Sequence, residues 1–147
     1  DEAIINKIKK DMNFVIGEKS AEAIKKNIAS AYATDAQMDI CGRNLVTGLP
    51  SEITVTGECV HEALAELFQS IVDSIKIILE RTPPEISSDI YKSGLYLTGG
   101  SSRIQNLGQF IYDELGLKVN LCEEPESTVI MGLGAVIEDP QLAKLAL

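Results

Sequence analysis

The run Gly94-Leu95-Tyr96-Leu97-Thr98-Gly99-Gly100-Ser101-Ser102-Arg103-Ile104 constrains this chain more than any other stretch. Leu95 to Leu97 predicts a short buried strand, and Ile104, Leu107, Phe110 and Ile111 are spaced as the apolar stripe of a helix. Between them two glycines remove the Cβ atoms. Two serines place hydroxyls where the first helical N–H groups lack internal partners. A strand ending in a glycine turn that opens a helix lets a flat or anionic ligand approach the backbone closely. The same letters also build an ordinary strand-to-helix turn of an α/β domain, and a lone Gly-Gly pair does not choose between the two.

Composition narrows the classes. The 147 residues suffice for one domain or two small lobes, and 45% hydrophobic with 24% charged residues describes a folding sequence. A net charge of −9 argues against non-specific nucleic-acid binding. Cys41, Cys59 and Cys122 are widely spaced, and the only histidine is His61, so no metal site is expected; free thiols in a reducing cytosol are. No apolar run approaches the ~18 residues of a membrane span. The first residues, Asp1-Glu2-Ala3, already lie in helical pattern without an initiator methionine, which suggests a fragment.

Taken in order, Ile4, Ile5, Ile8, Met12 and Val15 predict a first helix broken at Gly17. A second helix, capped by Ser20, points Ala21, Ile24, Ile28 and Ala31 inward. On it Glu22 precedes Lys25 by three residues and Lys26 by four, so a carboxylate and an ammonium share one face. That is either a solvated ion pair or a sugar clamp, the carboxylate accepting from ribose hydroxyls while a lysine stem covers a base. Met38–Cys41 and Glu52–Thr56 predict two strands joined by the turn-rich segment Gly42–Pro50. The longest helix follows over Glu58–Arg81, its stripe Val60, Leu64, Leu67, Ile71, Ile75 and Ile78 widened by Ala63, Phe68, Val72 and Leu79, a width that predicts burial on more than one side. Pro83-Pro84 ends it. His61 reads as a surface or cap-region residue, with no nucleophile patterned beside it. Glu85–Lys92 reads as a polar connector, Lys118–Leu121 as a strand parallel to Leu95–Leu97, and Cys122–Pro125 as a turn. A last helix from Ser127 carries Val129, Ile130, Leu133, Val136 and Ile137, with Gly132 and Gly134 inside it as points of close approach.

These stretches in this order resemble the second half of the MreB family, the bacterial actin-like rod-shape-determining proteins. The resemblance is carried by Asp1-Glu2-Ala3-Ile4-Ile5, by Ile16-Gly17-Glu18 with Ala21-Glu22-Ala23-Ile24-Lys25, and by Gly42-Arg43-Asn44-Leu45 with Gly48-Leu49-Pro50. Pro83-Pro84-Glu85 and Leu97-Thr98-Gly99-Gly100 complete it. It spans nearly the whole chain. Gly100-Ser101-Ser102-Arg103-Ile104 is closer to the seventy-kilodalton chaperone form of the turn than to the third glycine usual in MreB.

The resemblance implies an α/β fold of the actin-like ATPase, ribonuclease H-like, second-domain type. A helix-plus-hairpin outer lobe would occupy residues 1–57 and an inner lobe residues 58–147. It implies a nucleotide pocket in which Glu22 and Lys25 flank ribose and base, with Lys26 near. Gly99, Gly100 and Ser101 would run along the nucleotide's inner face, and Ile104 would pack on adenine. The full-length parent would use ATP or ADP with Mg2+, act as a slow ATPase and polymerise with copies of itself. It would also meet cell-wall synthesis and membrane-associated morphogenesis proteins, in the cytoplasm at the membrane. This chain would hold no catalytic or metal residues and need no cofactor, because the family's phosphate-binding hairpins and magnesium ligands precede it. The rival expectations are a fragment of a chaperone-like or sugar-kinase-like ATPase, or an interaction module without nucleotide.

Overall fold

The computed structural model describes residues 1–145. Its elements are α1 (Glu2–Met12), β1 (Phe14–Val15), α2 (Glu18–Ile28), β2 (Gln37–Asn44), β3 (Pro50–Thr56), α3 (Gly57–Glu80), α4 (Pro84–Ser93), β4 (Leu95–Leu97), a 3-10 turn (Gly100–Arg103), α5 (Leu107–Leu115), β5 (Val119–Leu121), α6 (Thr128–Glu138) and α7 (Pro140–Leu145).

Two sheets organise them. β1, β2 and β3 form an antiparallel sheet in that order, with Phe14 opposite Asn44 and Ile40 opposite Ile53. β4 and β5 pair in parallel, Leu95 with Val119 and Leu97 with Leu121. Their connection runs through α5, as a parallel crossover requires.

Several boundaries differ from expectation, each for a local reason. Val15 is in a strand: Asn13 takes a left-handed conformation (φ 50°), which stops α1 at Met12 and frees Phe14–Val15 to pair with β2. α2 begins at Glu18 behind an extended Gly17, so Ser20 lies inside the helix and does not cap it. Glu85–Lys92 is helical: Pro84 at the first helical position has its φ preset and needs no N–H partner there. Behind the glycine turn, Ile104 is extended and Asn106 left-handed (φ 60°), so the helix starts only at Leu107. β2 and β3 reach further than Cys41 and Glu52. This leaves a tip of Leu45–Leu49, where the Asn44 Oδ1 accepts from the N–H groups of Val46 and Thr47 at 2.8 and 3.1 Å.

α3 is the spine. Its buried residues Val60, Leu64, Phe68 and Val72 recur every fourth position, a stripe inclined to the helix axis. Leu67, Ile71 and Ile78, expected inside, are 52%, 43% and 65% exposed, so among the described residues the helix is covered on one side only. That side meets Ile4 and Ile8 of α1, Ile24 of α2 and Leu107 and Ile111 of α5 in one continuous core spanning residues on both sides of Gly57. Each such side chain contributes roughly 1.5–3 kcal/mol on burial. α6 is the opposite case. None of its residues is buried, and Val129, Ile130, Met131, Leu133 and Ile137 are all exposed. Apart from the adjoining residues and the helix's own backbone, no atom of the described residues comes within 4 Å of a Cβ placed on Gly132 or Gly134.

Candidate functional site

Two walls face each other beside the core. One is the outer face of α2, amphipathic because Ala21, Ile24 and Ile28 are buried, which leaves Glu22, Lys25 and Lys26 to the far side. The other is the segment after β4. There Gly99, at φ 85°, takes a conformation open to glycine but rare for L side chains. The carbonyl of Gly99 then accepts the Ser102 N–H at 3.0 Å and the Ser102 hydroxyl at 2.7 Å, closing the 3-10 turn.

Between the walls is a cleft of about 590 Å³ lined by Glu22, Lys25, Lys26, Gly100, Ser101, Arg103, Ile104 and Glu126. Its volume is in the range of small-molecule and cofactor sites. Of the residues singled out in the sequence, Glu22, Lys25, Gly100, Ser101 and Ile104 come together here. Gly99 stands behind the lining and shapes the turn without facing the cleft.

Glu126 and Arg103 form the part that sequence reasoning missed. Pro125 is buried, and its carbonyl accepts the Thr98 hydroxyl at 2.8 Å and the Gly99 N–H at 2.6 Å. This pins the β5–α6 loop to the glycine turn and sets Glu126 over Gly100, where a Cβ would lie 3.6 Å from its Cγ. Arg103 then grips Glu126 with two nitrogens, Nε to Oε1 at 3.2 Å and Nη2 to Oε2 at 3.3 Å. Arg103 lies inside the Gly94–Ile104 run, but Glu126 is twenty-three residues further on, and no local spacing joins them.

The charges of the cleft are all paired, one of them with a residue outside its lining. Glu22 bonds Lys26 at 2.7 Å, and Lys25 turns instead to Asp1 at 2.9 Å, so the helix face divides its cations between two carboxylates. The Lys26 hydrogen bond, and then its charge, hold the Glu22 carboxyl below its ordinary value. The same bond and the Glu22 charge hold the Lys26 ammonium above its own, with Glu126 across the cleft adding to the effect. These groups are exposed, so the pairs are worth little as stability. Their chemistry is that of a mixed rim: acceptors for hydroxyl or amino donors, cations for a phosphate edge, and the apolar Ile104 beside a turn free of Cβ atoms at Gly100.

No group of three or more His, Cys, Asp or Glu residues suited to a metal ion occurs among the described residues. His61 is half-buried with its Nδ1 unpartnered among them. The nearby Cys59 thiol is pushed above its ordinary value by desolvation, the reverse of an activated nucleophile. No helix of the described residues is long and apolar enough to cross a membrane.

An antiparallel sheet and a parallel crossover unit, with a cleft between α2 and the glycine turn, match the actin-like domain that the resemblance implies, and comparison with known proteins agrees. The MreB/Mbl protein family matches residues 1–145. The cell shape-determining protein MreB of Escherichia coli (strain K12) is 39% identical over 140 residues, covering 94% of this chain and 40% of that protein. The cell shape-determining protein Mbl of Bacillus subtilis (strain 168) is 40% identical over 141 residues, covering 95% and 42%. Among solved structures, MreB5 of Spiroplasma citri bound to ADP superposes with a TM-score of 0.88 at 32% identity, over 93% of this chain and 42% of that one. The MamK double helical filament, at a TM-score of 0.79, 22% identity and coverage of 94% and 43%, shares the fold. The chain belongs to the MreB/Mbl family of actin-like, cell shape-determining proteins. It spans about two fifths of the length of the curated relatives it matches.

Proposed function

We propose that this chain is the adenosine-holding part of an MreB-type cytoskeletal protein that polymerises with ATP and organises cell-wall synthesis beneath the membrane. One observation carries the reading: Glu22 and Lys25 of α2 and Gly100, Ser101 and Ile104 of the turn, far apart in sequence, converge on one cleft of nucleotide-compatible size. Glu22 would accept from ribose hydroxyls, and the Lys25 and Lys26 stems would cover an edge of the base. Gly100 would let the ring approach the backbone, with Ile104 packing against it. The crystallised relative MreB5 holds ADP, which supports the same class of ligand here.

Phosphoryl transfer needs a positioned metal and charge stabilisation at the phosphate. In this reading those groups belong to other parts of the full-length protein, where ATP or ADP is held with Mg2+. The chain alone therefore binds adenine nucleotide weakly and turns none over. Calorimetry with ATP and Mg2+, together with a phosphate-release assay, tests this. The expected dissociation constant is no tighter than ~10 μM, without release; submicromolar binding or turnover by the chain alone would overturn the reading.

The hairpin tip serves assembly. Arg43, at the exposed end of β2, makes no ion pair among the described residues, and the tip beside it exposes Leu45, Val46 and Leu49. Arg43 would make a charge-assisted bond to the next protomer of a filament. In the full-length protein, Arg43→Ala is expected to raise the critical concentration for assembly several-fold and leave nucleotide binding by the monomer intact. Normal assembly would return the loop to a purely structural role.

A further inference from the structure

The two cleft walls come from segments far apart in sequence, and one junction ties them together at their bases. α2 ends at Ile28, and two residues later Ser30, wholly buried, forms an isolated parallel bridge with Gln105, the residue after Ile104. The Ala31 N–H donates to the Gln105 carbonyl at 2.9 Å. Asn106 then reaches back, its Nδ2 donating to Ser30 Oγ at 3.1 Å, and the Tyr32 N–H donates to the same oxygen at 3.2 Å. Asn106 holds φ at 60°, a left-handed conformation that asparagine tolerates better than most residues. Beyond it, Tyr32 bonds Asp113 of α5 and meets Phe110 edge to face.

We infer that Asn106 is a positioning residue that fixes the relative orientation of the two cleft walls, and with it their spacing, through its bond to Ser30. The inference rests on the adenosine reading for its purpose, not for its geometry. Asn106 does not line the cleft. Its backbone turns the chain out of the Gly100–Ile104 wall into α5, and its amide fastens that turn to the end of α2. A ligand touching Glu22 and Gly100 together needs the walls at one spacing, and a site held in advance avoids the cost of ordering on binding.

Three substitutions separate the two roles of the side chain. Asn106→Gly keeps the left-handed backbone and removes the bond to Ser30. Asn106→Asp keeps a partner for Ser30, whose hydroxyl can turn to donate to the carboxylate. Ser30→Ala removes the bond from the other side and serves if Asn106→Gly fails to fold. The first readout is the set of residual dipolar couplings of amides in α2 and in Gly100–Arg103. The wild-type chain and Asn106→Asp should fit a single alignment tensor across both walls, and Asn106→Gly and Ser30→Ala should not. A single tensor for all of them would overturn the inference, since a merely stabilising contact would lower the melting temperature and leave the walls in register. The second readout is ATP titration followed by amide shifts. About fivefold weaker binding is expected in Asn106→Gly, recovered in Asn106→Asp. Unchanged ATP affinity in Asn106→Gly would also overturn it. A wild-type chain with no ATP response would refute the adenosine reading, and the couplings alone would then decide whether Asn106 positions the walls.

Discussion

At the scale of single residues, neighbouring glycines have different reasons to be there. Gly99 is held at φ 85° and ψ 155°, a region open essentially only to glycine, so any side chain costs roughly 1–3 kcal/mol through the backbone alone. Gly100 has an ordinary φ, and a Cβ there meets only Glu126, at van der Waals distance. Gly100→Val is therefore expected to leave the fold standing and abolish the amide shifts that ATP causes, whereas Gly99→Val lowers the melting temperature; unchanged ATP shifts in Gly100→Val would remove Gly100 from the site. The Glu22–Lys26 pair has a pH signature. The folded carboxyl is lowered from its ordinary 4.5, so the pair is complete above that value and is lost as pH falls through the lowered one. Carboxyl titration by NMR should show Glu22 returning toward its ordinary value in Lys26→Met, and an unmoved titration would mean that the pair does not form in solution. Cys59 supplies a control outside the cleft lining. Desolvation keeps its thiol protonated, so iodoacetamide at pH 8 should label exposed Cys41 well before Cys59.

At the scale of elements, α3 shows what periodicity can and cannot tell. Its length and its stop at the prolines were legible, because an apolar stripe and breaker residues are local patterns. The face it buries was not, because Phe68 and Ile71 are equally apolar and only the packing of α1 and α5 separates them. Phe68→Ala is expected to cost about 3–5 kcal/mol and Ile71→Ala under ~1 kcal/mol, measured by urea unfolding; the reverse order would put the core on the wrong face. The β1–β2 pairing gives a second test. A Cβ on Gly42 would collide with the Val15 carbonyl and lie 2.5 Å from Phe14 Cε1, so Gly42→Ala should destabilise by roughly 1–3 kcal/mol. The same division holds for the cleft. Glu22, Lys25 and the glycine turn are recognisable because helical spacing and Gly-Gly are local patterns. Glu126 joins the cleft through the Pro125 carbonyl, which pins its loop to the turn across more than twenty residues and so leaves no local pattern. The two-residue β1 was hidden for the same reason, since its partner Asn44 lies thirty residues beyond Phe14.

At the scale of the molecule, one half has its core covered and the other exposes apolar surface. Val129, Ile130, Leu133 and Ile137 of α6 stand open, and β4 and β5 form a two-stranded sheet among the described residues. Apolar patches and sheet edges of this kind associate. The isolated chain is therefore expected to be a dimer or larger in a light-scattering dilution series, reverting toward monomer in the double variant Ile130→Lys, Ile137→Lys. A wild-type monomer at all micromolar concentrations would contradict this. The central claim is that residues from α2 and from the glycine turn act as one adenosine site, and amide chemical-shift mapping during titration with ATP tests it most directly. The account predicts that the shifts grow together at Glu22, Lys25, Lys26, Gly100, Ser101, Arg103, Ile104 and Glu126, fitting one dissociation constant, with the hairpin tip Leu45–Leu49 silent. Shifts confined to one wall, or centred on the shallow groove of Gly108, Tyr112 and Leu121, would contradict it.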